Sequence, residues 1–277
     1  MAPSDQDLAR WLGAAQHLAH QAGAMLLERQ RELSGRPPEF KGRRELVTAA
    51  DREAEDLVVG GLRDRFPEHA ILAEEGTQTE AGHIDGDGEL MWVIDPVDGT
   101  TNFVHGLPFF AVAIALVHRA PPHQGLVSVV HAPALGHTYT AIRGGGAQRN
   151  GEPIRVTGTD ELAAALLVTG FSYNRNEPGR DDNSGRLAKM LPLCRDLRRF
   201  GSAELDLCQT AAGIFDGYWE MYLMPYDVAA GALIVQEAGG RVTDLEGGDD
   251  WLFGRSVLAS NGALHQQVLD VVGGPTP

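Results

Sequence analysis

Apolar residues first recur at helical spacing. Leu8, Trp11, Leu12, Ala15, Leu18, Ala19, Ala22, Met25 and Leu26 fall three or four positions apart, which predicts a long helix with one buried stripe. Ser4 and Asp7 precede it in the order of a capping box. Residues 34–45, mixed in Gly, Pro and charge, read as a polar loop. Thr48-Ala49-Ala50-Asp51 then starts a second helix, with Ala54, Leu57, Val58 and Leu62 on one face.

Shorter apolar segments follow. Ala70 to Ala73 reads as a strand that ends at Glu74-Glu75-Gly76, and residues 77–90 as a surface loop. Residues 91–94 form the next strand, and 109–118, 125–132 and 137–143 a meander with turn residues between. Gly144-Gly145-Gly146 lacks the Gly-x-Gly-x-x-Gly spacing of a phosphate loop and reads as a hairpin or bulge. A boundary near 147–160 divides the chain into halves, 1–147 and 148–277. In the second half, 166–171 is a strand, and 183–195 a helix that Pro192 ends or kinks. Leu197 to Phe200 is extended, Ser202 caps a helix running to Gly213, and 216–222 is a strand. Pro225 suits the first turn of a helix ending at Gly239-Gly240. Strands at 241–244 and 256–260 and a helix from about 263 complete the pattern, which contains no internal repeat.

Composition narrows the class. The 277 residues are 43% hydrophobic and 22% charged, ordinary for a globular protein with a sizeable core. Lys and Arg number 23 against 38 Asp and Glu, a net charge of −15 that argues against a nucleic-acid-binding surface. An anionic substrate stays compatible if metal ions supply positive charge locally. Cys194 and Cys208 form no metal or redox motif and read as small buried residues of a reduced compartment. The N-terminal residues have no apolar signal core, and the longest apolar run, Phe109 to Val117, is too short to span a bilayer. The expectation is a cytoplasmic protein without a membrane partner.

The most informative stretch is Met91-Trp92-Val93-Ile94-Asp95-Pro96-Val97-Asp98-Gly99-Thr100-Thr101-Asn102-Phe103. Two aspartates three residues apart, beyond a buried strand and in a turn stiffened by Pro96, can aim both carboxylates at one point. Hard cations such as Mg2+ take oxygen ligands in such convergent sets. Gly99, Thr100 and Thr101 then offer N–H groups and hydroxyls where the chain can enter a helix, a setting for phosphate oxygens or an attacking water. The plain alternative is an Asp-Pro and Asp-Gly turn after a strand. Asp51, the Glu74/Glu75 pair and Asp227 are the other notable acids. Asp51 and Asp227 can simply complement helix dipoles, and the glutamates can be solvated charge.

Taken together these residues resemble the inositol monophosphatase family, within the broader group that includes fructose-1,6-bisphosphatases. The matching blocks are Leu46-Val-Thr-Ala-Ala-Asp51, Ile71-Leu-Ala-Glu-Glu-Gly76, Trp92 to Phe109, and Pro225-Tyr-Asp-Val-Ala-Ala-Gly231 with Glu237-Ala-Gly-Gly240 following. Their order and spacing hold from about residue 8 to residue 272. The resemblance implies an α/β fold, a layered αβαβα sandwich in two halves: an N-terminal half with most metal ligands and a C-terminal half with Asp227 and the substrate-facing residues. It implies a homodimer, lithium sensitivity and Mg2+-dependent hydrolysis of a phosphate monoester, with two or three ions per site.

Carried over by position, Glu74, Asp95, Asp98, Asp227 and the Val97 carbonyl would be the metal ligands. Asp51 and Thr100 would orient the water that Glu74 helps activate. Gly99, Thr100 and Thr101 would contact the phosphate. Asp98, Glu220 and the Gly201-Ser202-Ala203 segment would face the alcohol half. The bare chemistry agrees, because phosphoryl transfer needs charge neutralisation and in-line positioning more than a protein nucleophile.

The chain departs from the family pattern at two positions. Glu45 stands where many members have Asp, in a loop near Lys41 that the family links to a third metal. Glu204 stands where alanine is common, and reads either as a first-turn acid or as an added substrate contact. Arg198 and Arg199 can serve a second anionic group or a dimer interface. The ten histidines read as mainly structural or surface residues; His17 and His20 share a helix face but lack a third ligand. The Tyr218-Trp219-Glu220 strand favours an inositol 1-phosphate-like substrate, against histidinol phosphate or fructose 1,6-bisphosphate as alternatives. A non-catalytic, metal-binding regulatory role is the remote alternative. Asp85-Gly-Asp-Gly-Glu89 does not complete a calcium loop, because its twelfth position is Pro96.

Overall fold

The first helix starts as the capping pattern requires. Asp7 donates its N–H to Ser4 Oγ at 3.2 Å, and Ser4 returns its N–H to Asp7 Oδ2 at 3.3 Å. The computed structural model describes residues 3–34, 40–76, 84–172 and 179–274, with the backbone course alone for residues 34 and 40–48.

Helices α1 (Asp5–Ser34) and α2 (Phe40–Arg65) lead into eight strands: β1 (Ala70–Ala73), β2 (Ile84–Asp85), β3 (Leu90–Asp98), β4 (Ala111–His118), β5 (Gly125–Ala132), β6 (His137–Ile142), β7 (Gly146–Arg149) and β8 (Glu152–Pro153). They form one sheet in the order β2-β1-β3-β4-β5-β6-β7-β8. The short α3 (Thr100–Val104) interrupts it after β3. A second, five-stranded sheet follows, built from β9 (Leu166–Thr169), β10 (Asp196–Arg198), β11 (Gly217–Met221), β12 (Arg241–Thr243) and β13 (Ser256–Ser260), in the order β10-β9-β11-β13-β12. The remaining helices are α4 (Ser184–Met190), α5 (Ala203–Ala211), α6 (Ala229–Glu237) and α7 (His265–Val272).

Packing stacks these elements into five layers. The α1/α2 pair covers one face of the large sheet, α5 and α6 lie between the sheets and touch both, and α4 with α7 covers the outer face of the small sheet. This is the αβαβα sandwich that the motifs imply. Strand β3 is apolar at successive positions because each face has a core of its own. Trp92 and Ile94 pack with Ala15, Leu18 and Leu62 on one side, while Met91 and Val93 join the central core on the other. Every residue of α5 and residues 229–235 of α6 are buried. Their small residues let the middle helices approach closely; a Cβ at Gly231 would stand 2.6 Å from Leu207 Cβ.

Several sequence expectations change. Helix α2 begins at Phe40, so residues 40–45 are helical and Asp51 lies inside the helix, not at its head. The 77–90 segment holds the short strand β2, and its residues 77–83 lie outside the described residues. The Asp95–Asp98 stretch belongs to strand β3, with a register shift against β4 between the two aspartates. Helix α4 ends at Met190, two residues before Pro192, whose ring cannot continue the hydrogen-bond ladder. Pro225 opens a separate 3-10 turn, Pro225–Asp227, ahead of α6. Cys208 is buried, whereas Cys194 is half-buried.

Candidate active site

Strands β1 and β3 run parallel, with Ala73 opposite Ile94. Glu74 and Asp95 each follow one member of that pair, so the register alone brings the two carboxylates together. Past Asp95 the β3–β4 ladder slips before resuming at Asp98 opposite Ala111. Such a slip bends a strand and re-aims its side chains. Asp95 Oδ1 accepts the Val97 N–H at 2.9 Å, and the Thr100 hydroxyl donates to the Val97 carbonyl at 3.1 Å. Gly99 turns the chain into α3 with φ 90°, where a Cβ would lie 2.7 Å from the Phe109 carbonyl oxygen.

A cavity of about 420 Å3 opens at this point. Glu74, Asp95, Val97, Asp98, Gly99 and Thr100 line one side. Gly201, Ala203, Glu220 and Asp227 line the other, delivered by the loop before α5, by β11 and by the 3-10 turn before α6. Ten of the residues that the resemblance assigns to the site therefore share one cavity. Asp51, Thr101 and Ser202 are not among its lining residues. Ser202 is buried, donates to Asp98 Oδ2 and caps α5 by accepting the Leu205 N–H. Thr101 is exposed on α3. Asp51 is buried, and its Oδ1 has no hydrogen-bond partner.

The carboxylates raise one another's proton affinity. Burial, then the charge of Asp227, lifts Glu74 to about 8, although a hydrogen bond with Asp95 opposes this. Burial and neighbouring acids push Asp95 well above the usual range. Asp98 rises to about 6 through burial, restrained by hydrogen bonds from Ser202, Glu204 and Ala203. Asp227 rises to about 7, again chiefly through burial, while accepting the Met224 N–H at 2.6 Å. Asp51 also reaches about 7, from burial and then the Glu75 charge. Glu220 reaches about 7 through burial, held down by the Tyr218 hydroxyl 2.7 Å from its Oε2 and by Arg199.

Such a group of crowded acids fits a hard cation in donor chemistry. Oxygen donors converge on the cavity, and Asp51, whose charge acts on Glu74, keeps a buried Oδ1 without a partner. Among the described residues, no three His, Cys, Asp or Glu side chains stand grouped as a ready metal site. The acids instead bond to protein: Glu74 with Asp95, Asp98 with the start of α5, Asp227 with Met224. The donor set fits a hard cation such as Mg2+. Glu45 and Lys41, tied to a third ion in the sequence reading, lie outside the described side chains.

Other residues were not legible from the motifs. The Asn102 amide donates to the Phe109 and Phe200 carbonyls, both at 2.7 Å, and thereby ties α3 to the loop before α5. Only its place in the central motif signalled it. Arg180, Tyr222 and Arg255 also line the cavity. Arg199 does too, whereas Arg198 is exposed and pairs with Asp196 at 2.5 Å. Glu204 is fully buried and is not on the cavity wall; it accepts N–H groups from Ala230 and Gly231 at the start of α6.

Comparison with known proteins agrees with this geometry. The model of the inositol monophosphatase family matches residues 7–273. The chloroplastic phosphatase IMPL1 of Arabidopsis thaliana is 42% identical over 83% of this chain, which spans 62% of that protein's length. Nus factor SuhB of Pseudomonas aeruginosa is 40% identical over 94% of this chain and 95% of its own. The inositol monophosphatase structure from Anabaena (Nostoc) sp. PCC 7120 superposes with a TM-score of 0.82, at 37% identity and 96% coverage of both chains. The chain belongs to the inositol monophosphatase family and is a phosphatase of that family.

Proposed function

We propose that the cavity hydrolyses phosphate monoesters of inositol-like polyols, inositol 1-phosphate foremost, with Mg2+ as cofactor. One observation carries the reading: carboxylates from β1, β3 and the turn before α6 meet in a cavity whose other wall bears Glu220. Glu74, Asp95, Asp98, Asp227 and the Val97 carbonyl would hold the ions. Bound Mg2+ supplies positive charge against the phosphate oxygens and acidifies water.

The chain's own residues do the rest. Glu74, held ionised by the bound cation charge against the burial that otherwise raises its proton affinity, would take the proton from the attacking water. Thr100, fixed by its bond to the Val97 carbonyl, orients that water with help from the Asp51 charge. The N–H groups of Gly99 and Thr100, which line the cavity, receive phosphate oxygens. Glu220 accepts a hydroxyl of the alcohol half, and Gly201 and Ala203 leave room for its ring. A homodimeric, cytoplasmic and lithium-sensitive enzyme belongs to the same reading. Among the described residues no helix is long and apolar enough to cross a membrane.

The test is phosphate release from inositol 1-phosphate, fructose 1,6-bisphosphate, histidinol phosphate and a nucleotide 2′-phosphate, each with Mg2+ and with EDTA. Release that needs Mg2+ and favours inositol 1-phosphate is the expected result. Release unaffected by EDTA overturns the metal assignment. Preference for another ester moves the substrate to one of the family alternatives.

A further inference from the structure

The parallel β9–β11 ladder ends with Thr169 opposite Trp219. One step further along each strand stand Gly170 and Glu220, the acid proposed to meet the alcohol half of the substrate. The Glu220 carboxyl lies across Gly170 so closely that a Cβ there would overlap it. Alternation along β11 sends Tyr218 into the central core and Trp219 into the outer one, so support for Glu220 comes from two layers. From the central layer the Tyr218 hydroxyl donates to its Oε2 at 2.7 Å. From the outer layer the support is Asn183, immediately before α4.

Asparagine is a common choice ahead of a helix, because its side chain can bond to the first turn. Asn183 makes no such bond. It turns inward instead and is 2% exposed. Its Nδ2 donates to the Gly170 carbonyl at 2.8 Å and to Thr169 Oγ1 at 2.9 Å, and its Oδ1 accepts the Trp219 Nε1–H at 2.9 Å. The indole donor and the carbonyl acceptor fix which end of the amide is which. The Thr169 hydroxyl, having accepted from the amide, donates to the Trp219 carbonyl at 2.7 Å. The network thus spans both strands at the point where their own ladder stops. Asn183 holds φ 66°, a left-handed conformation that asparagine tolerates better than most side chains. A buried network with every member satisfied fixes one geometry, and removal of one member leaves buried groups without partners.

We infer that Asn183 is a positioning residue for Glu220. It is not among the residues that line the cavity. By fixing Gly170 and Trp219, which flank the acid, it sets where the carboxylate meets a substrate hydroxyl. A carboxylate displaced by about 1 Å loses that directional bond, while Asp95 and Asp98 across the cavity stay in place. The inference rests on the proposed role of Glu220 and deepens it: Asn183 acts on affinity for the polyol, not on the hydrolytic step.

Four proteins test this with Mg2+ present: wild type, Asn183→Gly, Glu220→Gln and the double variant, each assayed on inositol 1-phosphate and on a simple aryl phosphate. Glycine keeps the left-handed backbone and removes only the amide. Asn183→Gly should raise KM for inositol 1-phosphate roughly fivefold, with kcat within about twofold of wild type and the aryl phosphate hydrolysed nearly as before. In the Glu220→Gln background the same substitution should change KM by less than about twofold, because its effect passes through the carboxylate. A residue that only supports the fold would lower activity on both esters, and by the same factor in both backgrounds; that result overturns the inference. If Glu220→Gln is selective between the esters and Asn183→Gly is not, the inference alone falls. If the wild type does not hydrolyse inositol 1-phosphate, or Glu220→Gln affects both esters equally, the role of Glu220 fails and the inference falls with it. Should Asn183→Gly not fold, Thr169→Val, which removes the hydroxyl from the same network, takes its place in the cycle with the same expected and overturning results.

Discussion

Glu204 accepts the N–H of Ala230 at 3.1 Å, so an acid in the first turn of α5 caps the neighbouring helix α6 rather than its own. Its other oxygen takes the Gly231 N–H. One step upstream, Asp98 caps α5, accepting the Ala203 N–H at 3.0 Å and the Glu204 N–H at 2.9 Å. Asp98, α5, Glu204 and α6 thus form a relay, and Asp227 stands in the turn that feeds α6. Both ends of the relay reach the cavity, which couples the placement of two proposed metal ligands through the middle helix layer.

Glu204→Ala should therefore cost about 2–4 kcal/mol, since two buried N–H groups lose their acceptor. Burial, then the Asp98 charge, holds Glu204 well above the usual carboxylate range, while the Gly231 and Ala230 N–H groups pull it back down. Glu204→Gln keeps one acceptor oxygen and sets its NH2 against the other N–H, so it should lose about 1–2 kcal/mol, less than the alanine variant. Urea unfolding of the two variants checks this, and equal losses would show that the capping bonds contribute nothing.

Asp98→Asn should lower turnover more than about 100-fold, because an amide is a poor ligand for a hard cation. The amide oxygen can keep the Glu204 N–H, but its NH2 then meets the Ala203 N–H, so the stability loss should be about 1–2 kcal/mol. Phosphate release and a thermal melt measure the two effects separately. Retention of most activity would count against Asp98 as a ligand.

The legible parts of the chain were those in which local pattern and tertiary demand coincide. The α1 stripe and the Ser4/Asp7 box act within a few residues, and both appear in the structure. The central motif carries its own strand, register slip and helix start, so its carboxylates were readable as a convergent set. Asp51 misled because the α2 segment before it, Phe40 to Val47, is charged and contains Gly42, which weakens any helical signal. Glu204 and Asn102 were opaque for another reason. Their partners lie 26 or 27 and up to 99 residues away in sequence, and no local pattern encodes such pairings. Tyr222 gave no sign either, because a left-handed backbone is expected of Gly or Asn rather than of a bulky aromatic.

Gly170 sits against the proposed hydroxyl-binding acid, and a Cβ there would overlap the Glu220 carboxyl. Gly170→Ala should displace Glu220, and Glu220→Gln should remove its charge. Both should raise KM for inositol 1-phosphate by roughly tenfold, with less damage to hydrolysis of a simple aryl phosphate. Parallel losses on both substrates would mean that Glu220 does not set specificity.

His265 supplies a pH test away from the cavity. It is buried, with Thr243 Oγ1 2.9 Å from Nε2 and Ser260 Oγ 2.9 Å from Nδ1. Burial, then the Arg241 charge, lowers it from 6.5 to about 4. Between those values the unfolded chain binds the proton that the folded chain refuses, so the residue's contribution is complete above pH 6.5 and is lost as pH falls towards 4. The raised carboxylates act in the opposite sense, but they are common to wild type and His265→Gln and cancel in the difference. The stability advantage of the wild type, from urea midpoints at several pH values, should therefore be greatest at neutral pH and shrink steadily below 6.5. An advantage that does not change with pH would show that His265 binds its proton equally well in the folded and unfolded chains.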